Sequence, residues 1–178
     1  PGRPHEAPVV QTLTRFGSGA LAFALAGRIR IALLRPREFY RDASSALARL
    51  GIDVDAWPAP PAGLFVVEER ALYLRSRGPM TVAHEFGHAL DCALGGGIYR
   101  SGVDPRVRTL FANAKAFVTP YAATGLDEYF AESLRAYVEA NDAASPWPRA
   151  TRDRLRRIDP AMCEYVDELF RTEFSLAA

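Results

Sequence analysis

Histidine is scarce in this chain: there are three, His5, His84 and His88. Lysine is scarcer. Lys115 stands alone and every other basic residue is arginine. A GC-rich genome explains that bias first, because it also favours Ala, Gly and Pro. The sharper reading is selection against ubiquitination after delivery into a eukaryotic cytosol, since lysine is the ubiquitin acceptor. Two cysteines, Cys92 and Cys163, exclude a disulfide framework and leave either one bridge or two buried thiols. A net charge of +1 excludes a strong field toward nucleic acid or a membrane surface. A bilayer-length apolar run is missing too. Phe16 to Leu34 is the most apolar stretch, but it is too short and is interrupted by Arg28 and Arg30. Ala24-Leu25-Ala26 has the form of a signal-peptidase site, yet no basic start with Met precedes it. Internal repeats and low-complexity tails are also missing.

What remains is an ordinary globular composition. The chain has 178 residues, 49% hydrophobic and 24% charged, enough to bury one core. The expected organisation is a flexible Pro-rich N-terminal segment, residues 1–14, followed by a single domain, 15–178. A start at Pro1 rather than Met suggests part of a longer delivered polypeptide or a processed product.

Two of the three histidines fall in one motif, His84-Glu85-Phe86-Gly87-His88. On a helix, residues four apart lie one above the other on the same face. Two imidazoles so placed can hold one zinc ion, and the Glu between them reaches the water that the ion carries. In a chain this poor in His, a chance H-E-x-x-H has a probability of roughly one in a few hundred. The plainer reading is a buried helix with two satisfied histidines.

The surroundings fit a helix that begins at Pro79, a favoured first position, and ends at Gly95-Gly96-Gly97. Gly87 in mid-helix costs about 1 kcal/mol against Ala, so a neighbouring element is expected to pack close there. Upstream, Arg28–Leu34 alternates at period two and reads as a strand, and Leu21–Ala26 reads as helix or strand. Glu38–Leu50 reads as a helix ended by Gly51. Leu64–Val67 and Ala71–Leu74 read as two strands around a turn. Gly95–Asp104 is expected to be a loop, and Pro105–Phe117 a helix. Leu126–Ala140 is the next helix, with Thr124 as N-cap. Ser145–Arg149 is expected to turn, and helices follow at about 149–158 and 160–174. Arg149, Arg152, Arg154, Arg156 and Arg157 form a basic run, read as a solvated helix face in preference to a substrate exosite. The fold class is therefore α+β, helix-rich, with a small sheet preceding the H-E-x-x-H helix.

A catalytic zinc needs three protein ligands and an open position. His5 lies in the Pro-rich tail, and Asp91 shares a helix with the pair, so a downstream carboxylate is the better source. Asp127-Glu128-Tyr129-Phe130-Ala131-Glu132 stands out. Glu128 and Glu132 are four apart and share a face, which suits a cation and its histidines. The plain alternative is two solvent-exposed glutamates.

The segments T-V-A-H-E-F-G-H-A-L-D and Y-x6-E-Y-F-A-E-S together resemble the catalytic domain of anthrax lethal factor and its relatives, including the Pro-Pro endopeptidases. The resemblance is sharp over residues 80–92 and 121–134 and architectural over 28–79. It implies a zincin-like metalloprotease fold binding one Zn2+. It further implies His84, His88 and Glu128 as zinc ligands, Glu85 as general base, Tyr121 as active-site tyrosine, and Glu132 as a carboxylate behind the ligands. Tyr129 stands where the lethal factor helix has Phe. No receptor-binding or large exosite domain accompanies these residues, so substrate choice does not carry over.

The chemistry expected of such parts is peptide hydrolysis. Zinc lowers the pKa of its water, Glu85 moves the proton, and Tyr121 and the ion stabilise the oxyanion. The strand Ala71, Leu72, Tyr73, Leu74 is expected to hold an extended peptide by main-chain bonds. Glu132 and Asp91 are expected to accept the other ring N–H of the histidines. The function expected is a zinc endopeptidase acting on a specific protein substrate, as a secreted or delivered effector or toxin. Neither a nucleic-acid partner nor membrane insertion is expected. The rival reading is a zinc-stabilised, non-catalytic protein-binding module on a protease-like fold.

Overall fold

The computed structural model describes residues 6–145 and 148–175. Residues 1–5, with His5, and Pro146 and Trp147 of the expected Ser145–Arg149 turn lie outside the described residues. The fold is α+β and helix-rich, and its three strands form one mixed sheet.

The sheet is built around a hairpin. β2 (Gly63–Val66) runs antiparallel to β3 (Ala71–Leu74), and a 3₁₀ turn, Val67–Glu69, joins them with Arg70 in the left-handed region at φ 49°. β1 (Arg30–Leu33) pairs parallel with β3, giving the order β1-β3-β2. β3 is thus central and all four of its residues are buried, which is why it reads as an unbroken apolar run. Ala71 and Tyr73 face a small core with Tyr40, Leu47 and Val54, whereas Leu72 joins the main helical core. The strand expected from Arg28 starts two residues later, because Arg28 closes a turn at φ 58°.

The expected helix at Glu38–Leu50 is two short ones, α3 (Tyr40–Ala43) and α4 (Ser45–Leu50), ended by Gly51. Ser44 breaks them by turning extended so that its Oγ can accept the Leu47 N–H.

β3 leads into α5 (Pro79–Leu94), whose Pro79 does occupy the first turn. Gly78 offers no side-chain cap, and the carboxylate of distant Asp142 accepts the Met80 N–H at 2.9 Å instead. Every residue from Val82 to Cys92 is buried. Gly87 meets the expected neighbour: a Cβ there would lie 2.8 Å from the Ala131 Cα. Ala131 belongs to α8 (Leu126–Tyr137). The glycine thus leaves room for the backbone of α8 to pack directly against α5, the two helices that carry the candidate site. α6 (Arg100–Val103) interrupts the expected loop, and α7 (Pro105–Asn113) starts at its proline. α9 (Arg152–Ile158) and α10 (Pro160–Thr172) close the core over α8, with Tyr165 edge-on to Phe130 and Phe170 stacked on Tyr137. Cys92 and Cys163 are free and buried.

The N-terminal expectation needs correcting. Residues 7–13 form a helix, α1 (Ala7–Leu13), with Val9 packed on Leu74 and Val82, so residues 1–14 are not all a flexible segment. Two apolar side chains, Val9 and Leu13, tie it to the core. α2 (Gly17–Ala26) settles Leu21–Ala26 as helix. Ala7–Ala26 together is long and apolar enough, by length and composition, to cross a membrane. It is not one continuous rod: a 3₁₀ turn, Thr14–Phe16, and Gly17 at φ 79° interrupt it, and Phe16, Ala20 and Ala24 are buried in the main core.

Candidate metal centre

The one-turn spacing in α5 stacks His84 over His88, both buried. Their Nε2 atoms lie 3.1 Å apart. Glu128, in the first turn of α8, brings Oε2 to 3.0 Å from His84 Nε2 and 3.4 Å from His88 Nε2. Three potential ligand atoms therefore converge on one point. Metal bonds of about 2.1 Å in tetrahedral array put neighbouring ligand atoms about 3.4 Å apart. The observed triangle fits that array, slightly contracted. Glu128 Oε2 is buried and finds no aligned hydrogen-bond donor among the described residues, which also suits an atom whose partner is a cation.

Electrostatics favour a positive charge at this point. Burial pushes the His84 imidazole down, but the carboxylates of Glu128 and Glu132 outweigh it and raise its pKa to about 10. Burial likewise pushes Glu128 up, and the two imidazoles overcome it and hold its pKa at about 2. A divalent cation would compete with the His84 proton for the same position.

Glu132 lies behind the ligands. Its Oε1 accepts from His84 Nδ1 at 2.9 Å and from Arg135 Nε at 2.7 Å, while Oε2 accepts from Arg135 Nη2 at 2.8 Å and from the Thr119 hydroxyl. These donors hold the carboxyl well below its usual range in spite of its burial. A proton on His84 Nδ1 leaves the Nε2 lone pair of the neutral ring for a metal. Asp91 does not play the expected part. Its carboxylate accepts the Ser101 N–H at 2.8 Å and the Ser101 hydroxyl, and so ties α5 to α6 rather than orienting a histidine. His88 Nδ1 is buried without a hydrogen-bond partner among the described residues.

Glu85 is buried beside the first residue of β2, where a Cβ on Gly63 would come within 2.6 Å of the Glu85 Cγ. Desolvation raises its pKa against the pull of His84 and His88. Tyr121 stands half-exposed in a 3₁₀ turn, Tyr121–Ala123, with its ring 5.4 Å from that of His84. Its hydroxyl donates to Glu128 Oε1 at 3.0 Å. Thr124 closes that turn by donating its hydroxyl to the Tyr121 carbonyl; the N-cap of α8 is Gly125.

A cavity of about 490 Å³ opens beside His84 and Glu85, between Pro61–Gly63, Met80 and Thr81 on one side and Thr119–Tyr121 on the other. The strand expected to hold a peptide has no edge to offer one. Ala71–Leu74 pairs on both edges, with β1 and β2, so its main chain has no free side. β2 borders the cavity instead. The Arg75 N–H donates to the Ala62 carbonyl, making those residues a bonded pair. By antiparallel alternation, Leu64 and Val66 also bond across to β3, and the main-chain groups of Gly63 and Phe65 turn to the outer edge.

Several neighbours escaped sequence reasoning. Arg135 was detectable as the i+3 partner of Glu132. Thr119 and Tyr99, whose ring lies 5.5 Å from that of His88, come from loops and leave no periodic signal. No protein-family model matches the chain, and no curated protein sequence matches it.

Proposed function

We propose that the protein is a zinc-dependent endopeptidase with a zincin-like, lethal factor-like catalytic domain. The observation that carries the reading is the convergence of His84 Nε2, His88 Nε2 and Glu128 Oε2 at spacings of 3.0–3.4 Å, beside a buried carboxylate that is not one of the three. Zinc in this donor set supplies an acidic water and a Lewis acid for the substrate carbonyl. Glu85 accepts a proton from the attacking water and returns it to the leaving amine; its raised pKa suits a group that must do both. The Tyr121 hydroxyl exchanges its bond to Glu128 for one to the developing oxyanion, and half-exposure leaves the ring free to do so. An extended substrate lies along the outer edge of β2, bonded to the main chain of Gly63 and the carbonyl of Phe65, whose N–H already serves Glu85, with one side chain in the adjoining cavity. The near-absence of lysine supports delivery into a host cytosol as an effector or toxin.

The test is zinc content together with cleavage of a broad peptide library, using Glu85→Gln as control. The variant is expected to retain fold and zinc and lose turnover. Cleavage by Glu85→Gln at full zinc content would remove Glu85 as the base. A zinc-loaded wild-type protein that cleaves nothing in the library would favour the binding module.

A further inference from the structure

We infer that Arg135 is a positioning residue of the metal centre, acting on His84 through Glu132. The inference rests on the metal-centre reading. Arg135 is 2% exposed and heads the largest fully buried side chains. Its guanidinium grips both Glu132 oxygens, Nε to Oε1 at 2.7 Å and Nη2 to Oε2 at 2.8 Å. The remaining nitrogen, Nη1, donates to the Ala140 carbonyl at 3.0 Å and to Asn141 Oδ1 at 3.3 Å. Asn141 is itself fixed, donating to the Ala150 carbonyl and accepting the Ala150 N–H. The α8–α9 connection therefore anchors the arginine, and the arginine anchors the carboxylate.

The geometry has a purpose that charge pairing alone does not need. A buried ion pair is weak evidence for stability, because desolvation offsets most of its attraction. A two-point fork, unlike a point charge, also fixes the rotation of the carboxylate plane. With that plane set, and with Thr119 on Oε2, the Glu132 Oε1 stands where it must to accept the His84 Nδ1 proton. The His84 ring is then held with Nε2 toward Glu128 and His88. The rival account is structural only: Arg135 caps the carbonyl end of α8 through Ala140 and balances Glu132.

The two accounts separate on zinc affinity, measured by competition with a chromophoric chelator, and on the thermal midpoint of the chelator-stripped protein. Arg135→Met is expected to weaken zinc binding by about 10–100-fold, the range for partners that orient metal ligands. Arg135→Lys keeps the charge but loses the fork, and is expected to fall between Met and wild type. Because Arg135 acts through Glu132, the double variant Glu132→Gln/Arg135→Met is expected to bind zinc no more weakly than Glu132→Gln alone. A lower midpoint with wild-type zinc affinity in Arg135→Met would overturn the proposal. If that variant does not fold, Arg135→Lys decides: weakened binding supports the proposal, and wild-type affinity overturns it. A wild-type protein that fails to bind zinc stoichiometrically would defeat the metal-centre reading itself, a result distinguishable from failure of the variants.

Discussion

Tyr121 isolates one hydroxyl for experiment. Its ring packs near His84 while the hydroxyl reaches Glu128. Tyr121→Phe keeps the packing, so fold and zinc content are expected to hold. If the hydroxyl bonds the oxyanion, kcat falls by about 10²–10³ with KM little altered, the size of losing one such donor. Steady-state kinetics with zinc counted in the same sample reads this, and unchanged kcat at full zinc occupancy would take Tyr121 out of the mechanism. At this scale much of the candidate site was legible. The spacing of His84 and His88 is a helical fact that the chain states locally; the shortage of histidine points only as far as the acidic pair Glu128 and Glu132, and it was the resemblance to the lethal factor domain that implied Glu128 of the two. Asp91 was misread because sequence proximity to His88 says nothing of which donor reaches it first; Ser101, ten residues on, supplies two.

The paired helices are the element that a single methyl group tests. At Gly87, Ala has the better helix propensity by about 1 kcal/mol, so a helix considered alone gains from Gly87→Ala. The structure reverses that sign. The new Cβ would lie 2.8 Å from the Ala131 Cα and 3.1 Å from its Cβ, and the nearer atom is backbone that cannot step aside. Overpacking of this kind costs about 1–3 kcal/mol, so the urea midpoint is expected to fall. Moving α8 outward also moves Glu128, so zinc affinity is expected to fall with stability. Increased stability would show that the helices slide apart without strain. The close approach itself was readable from one glycine in a helical pattern. The strand roles were not: Ala71–Leu74 and β2 both read as short apolar strands, and which one is central depends on β1, a partner some forty residues earlier that the hairpin does not specify. The cap of α8 was likewise assigned to the only polar residue at hand, although Gly125 holds that position.

Across the whole molecule, the arginine run at α9 serves two ends. Arg152, Arg156 and Arg157 are exposed, as a solvated face requires, although Arg152 also donates to the Tyr137 carbonyl and lies over the Tyr137 ring; Arg154 is partly buried and donates to the Val118 carbonyl. Val118 adjoins Thr119, so Arg154 braces the loop that carries the site. Arg156→Gln with Arg157→Gln is therefore expected to leave cleavage of a short peptide unchanged, whereas Arg154→Gln lowers it; unchanged cleavage in Arg154→Gln as well would return the whole run to a solvated face. The response to acid is set farther from the site. Glu69, at the end of the β2–β3 turn, accepts from Ser44 Oγ at 2.8 Å, Ser45 Oγ at 2.6 Å, the Ala46 N–H at 2.9 Å and the Tyr73 hydroxyl at 2.6 Å. Partial burial raises its pKa, but these donors prevail and bring it from 4.5 to about 2. A carboxylate whose folded pKa is depressed adds stability that is fully present above its unfolded pKa and is lost as pH falls through the folded value. For Glu69 that window runs from 4.5 down to about 2. Asp91 opposes it: burial raises its pKa from 3.8 to about 6 despite Ser101, so its contribution favours the fold at low pH and fades as pH rises through that range. Comparing wild type with Glu69→Gln cancels Asp91, because distant sites act additively. Urea midpoints measured from pH 7 to pH 2 are expected to show wild type ahead of Glu69→Gln by a constant margin above pH 4.5, narrowing steadily below it. A margin that ignores pH would mean that Gln replaces the carboxylate as an acceptor without loss of charge-dependent stability, and that the link between the small core and the hairpin does not depend on the Glu69 charge.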